Sequence, residues 1–230
     1  MARQEGGPDL RAANLFQDLS EAEVAALERR MARLTVEAGR LIYSPEEQSE
    51  TLFLLKKGRV RLYRLSPEGK ALTIAVIEPL SLFGEMALLG QGMEDSFAEA
   101  LEDCELYVLR RRDLENLLLT DPRVARRLLD LIGRRLTDTE RRLAEFAFKN
   151  VPQRLASLLL ELAQGGAGPS EGPLALPVRY THQQLAEMIG TYRETVTKVL
   201  NDFRQRGLIR VEQGRILVLD PAGLREMASS

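Results

Sequence analysis

One cysteine, one histidine and no tryptophan occur among 230 residues. A lone Cys104 excludes an internal disulfide and any cysteine-built zinc or iron–sulfur centre within one chain. The lone His182 has no cysteine near it and no second histidine to share a metal or haem with, so no metal site is expected. No nucleophile–base pair and no glycine-rich phosphate loop accompany it, which argues against an enzyme. Long apolar runs are also missing. Nothing approaches the roughly 18 consecutive apolar residues of a membrane span, and the opening MARQEGGPDLRAAN has no apolar signal core. A cytoplasmic protein without a membrane partner is expected.

Net charge is small as well, at −2, but it is unevenly spread. Residues 1–110 carry 13 Lys and Arg against 19 Asp and Glu, whereas residues 111–230 carry 19 against 15. A nucleic-acid partner needs a local basic face and not a basic chain, and the second half is where such a face can lie.

What is present falls into three segments. Residues 1–120 open with a polar tail, residues 1–13. A helical spacing follows over 14–34, at Leu15, Phe16, Leu19, Val24, Leu27, Met31 and Leu34, with Ser20 and Glu23 as a capping box. From Thr35 to Leu109 short apolar or alternating runs (LIY, TLFLL, RVRLYRL, ALTIAVI, ELYVL) alternate with turns, including Ser66-Pro67-Glu68-Gly69 and Gly90-Gln91-Gly92. That pattern predicts a β-sandwich or roll, with Cys104 as a small core residue in a strand. Residues 121–149 then predict one long helix, with Pro122 at its first position. Its stripe of Val124, Leu128, Leu131, Arg135, Thr139, Leu143 and Phe146 is a candidate dimer seam. Residues 150–230 form a third segment: a break at Asn150-Val151-Pro152, a helix over 152–163, and a Gly-rich loop at 165–173.

Tyr180 to Arg206 is the most informative stretch. Thr181 and Gln184 form a second capping box. Leu185, Ala186 and Ile189 read as the buried side of a short helix, Gly190 as the left-handed turn residue, and Val196, Val199 and Leu200 as the buried side of a second helix. Arg193, Glu194, Thr197 and Lys198 then face away. Two runs around Gln213-Gly214 predict a β-hairpin wing. This is a winged helix-turn-helix, whose second helix enters the major groove of double-stranded DNA. Arg193 suits guanine O6 and N7, Glu194 suits cytosine N4, and Lys198 suits guanine or a phosphate. Thr181, Thr191, Tyr192 and Arg215 are candidate phosphate contacts. His182 is either a phosphate contact or an exposed first-turn residue.

With these residues in view, the chain resembles the cyclic-AMP receptor (Crp/Fnr) family of bacterial transcription regulators over nearly its whole length. The resemblance rests on Gly39, Gly58, Phe83-Gly84-Glu85, the long helix, the segment FAFKNVPQRLASLLLELA and Arg193-Glu194-Thr195-Val196. It implies an α+β fold: an N-terminal cyclic-nucleotide-binding-like β-roll (jelly roll), a long dimerisation helix and a C-terminal winged helix-turn-helix. It implies a homodimer on palindromic TGTGA-like sites, an activator role and contact with RNA polymerase near the 164–173 loop. It also implies an effector pocket, onto which Gly84, Glu85, Asp95, Ser96 and Thr139 map. In cyclic-nucleotide-binding relatives a Gly-Glu pair holds the ribose, and an Arg-Ser or Arg-Thr pair holds the phosphate. Asp95 stands here where that Arg is expected, and no Lys or Arg occurs from Met86 to Leu109. Two like charges 4 Å apart repel by roughly 4 kcal/mol at an effective dielectric of 20. Cyclic AMP is therefore not expected as cofactor, and DNA binding independent of it is the leading expectation. The alternative is a small-ligand-sensing module that needs its effector before it binds DNA.

Overall fold

Alternation of side chains shapes the first half of the chain. The computed structural model describes residues 10–45, 51–84, 96–164 and 174–229. Among the described residues eight strands run in this half, β1 Ala32–Val36, β2 Leu41–Tyr43, β3 Thr51–Lys57, β4 Val60–Leu65, β5 Ala71–Ile77, β6 Leu82–Phe83, β7 Phe97–Ala100 and β8 Cys104–Arg110. They build two four-stranded sheets, ordered β1-β8-β3-β6 and β2-β7-β4-β5. Successive side chains on a strand face opposite sides, and β3 uses both. Phe53 and Leu55 join Tyr43, Val60, Ile77, Phe83, Ala98 and Leu106 in the core of the roll, where the Phe53 and Phe83 rings stack at 5.2 Å. Leu52 and Leu54 join a second core against the helices. Cys104 is buried in the roll; burial pushes its thiol pKa up, and Sγ lies 3.4 Å from the Arg59 carbonyl and 3.2 Å from that of Glu102.

The N-terminal helix is shorter than the sequence predicts. Residues 10–12 and 14–16 form 3-10 turns, and the helix α1 spans Glu21–Glu28, capped by the Ser20/Glu23 box. Leu34 is not helical but lies in β1, which pairs with β8 from Ala32↔Val108 to Val36↔Cys104. Spacing of three and four admits a helix there, but the ladder hydrogen bonds to β8 outweigh it. Helix α2, Arg111–Thr120, packs Leu114 into the second core.

Helix α3 is continuous over 27 residues, Pro122–Phe148. The first part of the predicted seam belongs to a core instead. Val124 and Leu128 are buried in the core of the first unit, with Leu131 packed against it, and Arg135 donates to the Leu82 carbonyl. The large apolar residues that α3 leaves in solvent are Leu129, Leu136 and Leu143, at 69%, 59% and 68% exposure, together with Phe146 and Phe148 near its end. Contacts divide the chain into two units within this helix: residues 1–70 and 74–137 in one, residues 71–73 and 138–230 in the other.

The second unit contains α4 Val151–Gln164, β9 Leu174–Ala175, α5 His182–Met188, α6 Arg193–Gln205, β10 Ile209–Glu212, β11 Arg215–Val218 and α7 Pro221–Ser229. Asn150 starts α4 by a capping pattern: Gln153 N–H donates to Asn150 Oδ1 at 3.1 Å, and Asn150 N–H donates to Gln153 Oε1 at 2.7 Å. The wing is a three-stranded sheet, β10-β11-β9, whose third strand the sequence did not announce. Leu155, Leu159, Leu185, Val196, Phe203, Ile216 and Leu224 meet in one core.

Candidate nucleic-acid interface

Helix α5 begins where the sequence places it. Thr181 and Gln184 form a complete capping box, with Gln184 N–H donating to Thr181 Oγ1 at 3.1 Å and Thr181 N–H to Gln184 Oε1 at 2.8 Å. Leu185, Ala186 and Ile189 are buried. The turn follows at Gly190, with φ +65°. A Cβ there would stand 2.7 Å from the Phe146 ring, so both backbone and space require glycine. Thr191 N–H then donates to the Ala186 carbonyl at 2.9 Å, and the chain enters α6.

Arg154 braces this turn. Its guanidinium donates to the Lys149 carbonyl at 2.8 Å and to the Ile189 carbonyl at 3.2 Å, and lies over the Phe146 ring at 5.1 Å. Burial lowers its pKa from the ordinary guanidinium value. The end of α3, the start of α4 and the turn of the helix pair are thereby held by one side chain.

On α6, Val196, Val199, Leu200 and Phe203 are buried, which leaves the opposite side for recognition. Arg193, Glu194 and Lys198 are exposed. Among the described residues none of the three takes an ion pair or a side-chain hydrogen bond. Thr197 differs. Its hydroxyl donates to the Arg193 carbonyl at 2.9 Å and lies 2.8 Å from His182 Nδ1, so it already has partners within the fold. Tyr192 precedes α6 and is 66% exposed. Thr181 and Arg215 are exposed and Thr191 is half-buried.

Two features of this region escaped sequence reasoning. Arg179 packs its stem beside the wing turn, with Cδ 3.5 Å from where a Gly214 Cβ would be. It sits two residues before the Thr181 cap, a position that a search for helix-borne residues passes over. Glu187 is buried and accepts from Gln183 Nε2 at 2.8 Å. The i,i+4 spacing of Gln183 and Glu187 was the available signal.

The effector residues are only partly described. Glu85 and Asp95 lie outside the described residues, as does the 165–173 loop. Gly84 follows β6 with φ +82°, Ser96 precedes β7 and is half-buried, and Thr139 is on α3 at an exposed position. Among the described residues no cluster of three or more His, Cys, Asp or Glu could hold a metal, and no helix is long and apolar enough to cross a membrane.

Comparison with known proteins agrees with this geometry. A family model for a Crp-like helix-turn-helix domain matches residues 153–227, and one for a cyclic nucleotide-binding domain matches residues 33–121. The chain is 34% identical to a cyclic AMP receptor protein of Thermus thermophilus, over 95% of this chain and 98% of the relative. It is 30% identical to a CRP-like cAMP-activated global transcriptional regulator of Mycobacterium tuberculosis, over 94% and 96%. A solved transcriptional regulator of the CRP/FNR family, also from Thermus thermophilus, superposes with a TM-score of 0.68 at 34% identity, covering 86% of this chain and 99% of that one.

Proposed function

This chain belongs to the Crp/Fnr family of transcription regulators, and on that premise we propose that it is a cytoplasmic homodimer that reads palindromic TGTGA-like DNA, activates transcription through RNA polymerase and does not depend on cyclic AMP. The observation that carries the DNA reading is the exposed, unengaged face of Arg193, Glu194 and Lys198 on α6. Arg193 pairs with guanine O6 and N7, Glu194 accepts from cytosine N4, and Lys198, a turn later, takes guanine or a phosphate. Thr181, Thr191, Tyr192 and Arg215 serve in this reading as phosphate contacts, which fix register without reading sequence.

The dimer reading is supported by α3. Leu129, Leu136 and Leu143 recur every seven residues, and Ile132, Thr139 and Phe146 follow each by three. That is an a/d heptad seam, and one chain leaves its leucines in water. A two-fold dimer places two recognition helices about 34 Å apart, one helical turn of DNA.

Independence from cyclic AMP rests on the family resemblance, which sets Asp95 where cyclic-nucleotide-binding relatives have a phosphate-holding Arg; a carboxylate at that position would repel the phosphate. A second reading, DNA binding only with a cyclic nucleotide, is favoured by the cyclic nucleotide-binding domain match and by the names of both curated relatives. Selection from a randomised DNA pool with ligand-free protein, repeated with cyclic AMP and at stated salt, tests both. Enrichment of a two-fold site without nucleotide supports the first. Enrichment that appears only with cyclic AMP, together with micromolar binding by calorimetry, establishes the second.

A further inference from the structure

We infer that Arg154 is a positioning residue that sets which half-site spacing this chain accepts, because it ties the α5–α6 pair to the end of α3. This rests on the dimeric DNA-reading function proposed above. Helices α4, α5 and α6 share one core, where Leu155 and Leu159 meet Leu185, Val196 and Phe203. Close packing gives α6 a fixed relation to α4. The angle of the recognition helix to the dimer seam is therefore decided where α3 joins α4, at Lys149 and Asn150.

That joint is fastened on both sides. Lys149 Nζ donates to Glu145 Oε1 on α3 at 3.1 Å and to Ser157 Oγ on α4 at 2.8 Å. Asn150 caps α4 through Gln153. These bonds hold α3 to α4 and stop short of the helix pair. Arg154 goes further. Its Nη1 donates to the Lys149 carbonyl at 2.8 Å, inside the joint, and its Nε donates to the Ile189 carbonyl at 3.2 Å, where α5 ends. The guanidinium also lies 5.1 Å over the Phe146 ring. Phe146 follows Leu143 by three, which makes it a d residue of the seam, and a Gly190 Cβ would stand 2.7 Å from the same ring. One planar fork thus joins a seam residue, the joint and the turn before α6. A lysine ammonium is a point donor on a flexible stem and does not reproduce that span.

A dimer on a two-fold site is a bivalent binder. A stiff linkage gives the second half-site a high effective concentration at one span and little elsewhere, whereas a loose linkage lowers the peak and widens the range. One added base pair shifts a half-site by about 3.4 Å and turns it by about 35°. Full-length native protein, Arg154→Met and Arg154→Lys are titrated with a single half-site duplex, with the selected two-fold site, and with that site lengthened or shortened by one base pair. The native chain is expected to lose about tenfold in affinity on either change of length, and Arg154→Met only about threefold. At the selected spacing Arg154→Met binds about tenfold more weakly than the native chain, while its single half-site affinity stays within about twofold. Arg154→Lys follows Arg154→Met. Circular dichroism and sedimentation establish that the variants fold and dimerise, and Arg154→Lys carries the test where Arg154→Met does not fold. A folded variant with the native spacing profile overturns the inference. So does an equal loss on single and two-fold sites, which shows that Arg154 only keeps the helix pair in shape. Either result leaves the DNA-reading function standing. Native protein without sequence-specific binding to any duplex, with and without cyclic AMP, overturns that function and the inference with it.

Discussion

Arg193, Glu194 and Lys198 are exposed because the buried side of α6 is filled by Val196, Val199, Leu200 and Phe203. An exposed side chain with no ion pair or hydrogen bond among the described residues is removed at little cost to stability, so these positions separate function from folding. Arg193→Ala is expected to leave the melting temperature within a degree or two. In a binding-site selection it should relax preference at one base pair per half-site, by about 1–3 kcal/mol. Preserved preference in that variant would remove Arg193 from the reading face. Gly190 is the opposite kind of residue. With φ +65° and the Phe146 ring 2.7 Å from a Cβ, Gly190→Ala combines a left-handed backbone, costing about 1–2 kcal/mol, with a collision. A clear drop in thermal midpoint by calorimetry is expected. Gly190 was legible from sequence as the turn residue, but the ring above it was not, because Phe146 is 44 positions away in the chain. Thr197 shows the same limit. Sequence places it on the outer side of α6, and only the fold shows its hydroxyl committed to Arg193 and His182.

At the scale of elements, caps are where local sequence speaks most reliably. Ser20, Asn150 and Thr181 each start a helix with the same reciprocal hydrogen bonds. Thr181→Ala is expected to cost about 1 kcal/mol, measured by urea denaturation. The same variant should weaken DNA binding if Thr181 also meets a phosphate. The junction of the N-terminal helices with α3 is ionic. Arg127 holds Asp18 at 2.7 Å, and Arg123 reaches both Asp121 at 2.6 Å and Glu23 at 3.0 Å. Side-chain hydrogen bonds from Arg127, Ser20 and Arg123 hold the pKa values of Asp18, Glu23 and Asp121, respectively, below the ordinary carboxylate range. Such groups stabilise the fold fully above the unfolded carboxylate range near pH 4, and that contribution fades as pH falls through the lower folded values. Asp18→Asn is therefore expected to be less stable than the native chain at pH 7, with the difference closing below about pH 4. Thermal melts across pH 3 to 7 read this directly, and a constant difference would show that the ion pair is not its source.

For the whole molecule, the question is what covers α3. Three leucines at seven-residue spacing, each more than half exposed, are not a finished surface. Leu136→Glu places a charge in the middle of that seam. Sedimentation is expected to give the 25.8 kDa single chain for the variant and about twice that mass for the native protein. Loss of the dimer should carry loss of binding to a two-fold site while a half-site duplex is still bound weakly. A native chain that sediments as a monomer at micromolar concentration would instead leave the leucines to another partner.

The helix-turn-helix was determined almost entirely by sequence, because its cap, its glycine and its buried pattern are interactions over a few residues, where spacing and geometry are the same thing. The strands of the roll were legible for the same reason, and the family pattern named the fold that joins them. Tertiary structure decided the rest. It cut the N-terminal helix short at Glu28 because Ala32–Val36 had a strand to pair with. It also divided the apolar residues of α3 between a core and an open seam. A 3.6-residue period tells which residues lie on one side of a helix, but not which side meets the rest of the protein. Val124 and Leu128 differ from Leu129, Leu136 and Leu143 only in what the folded chain brings against them.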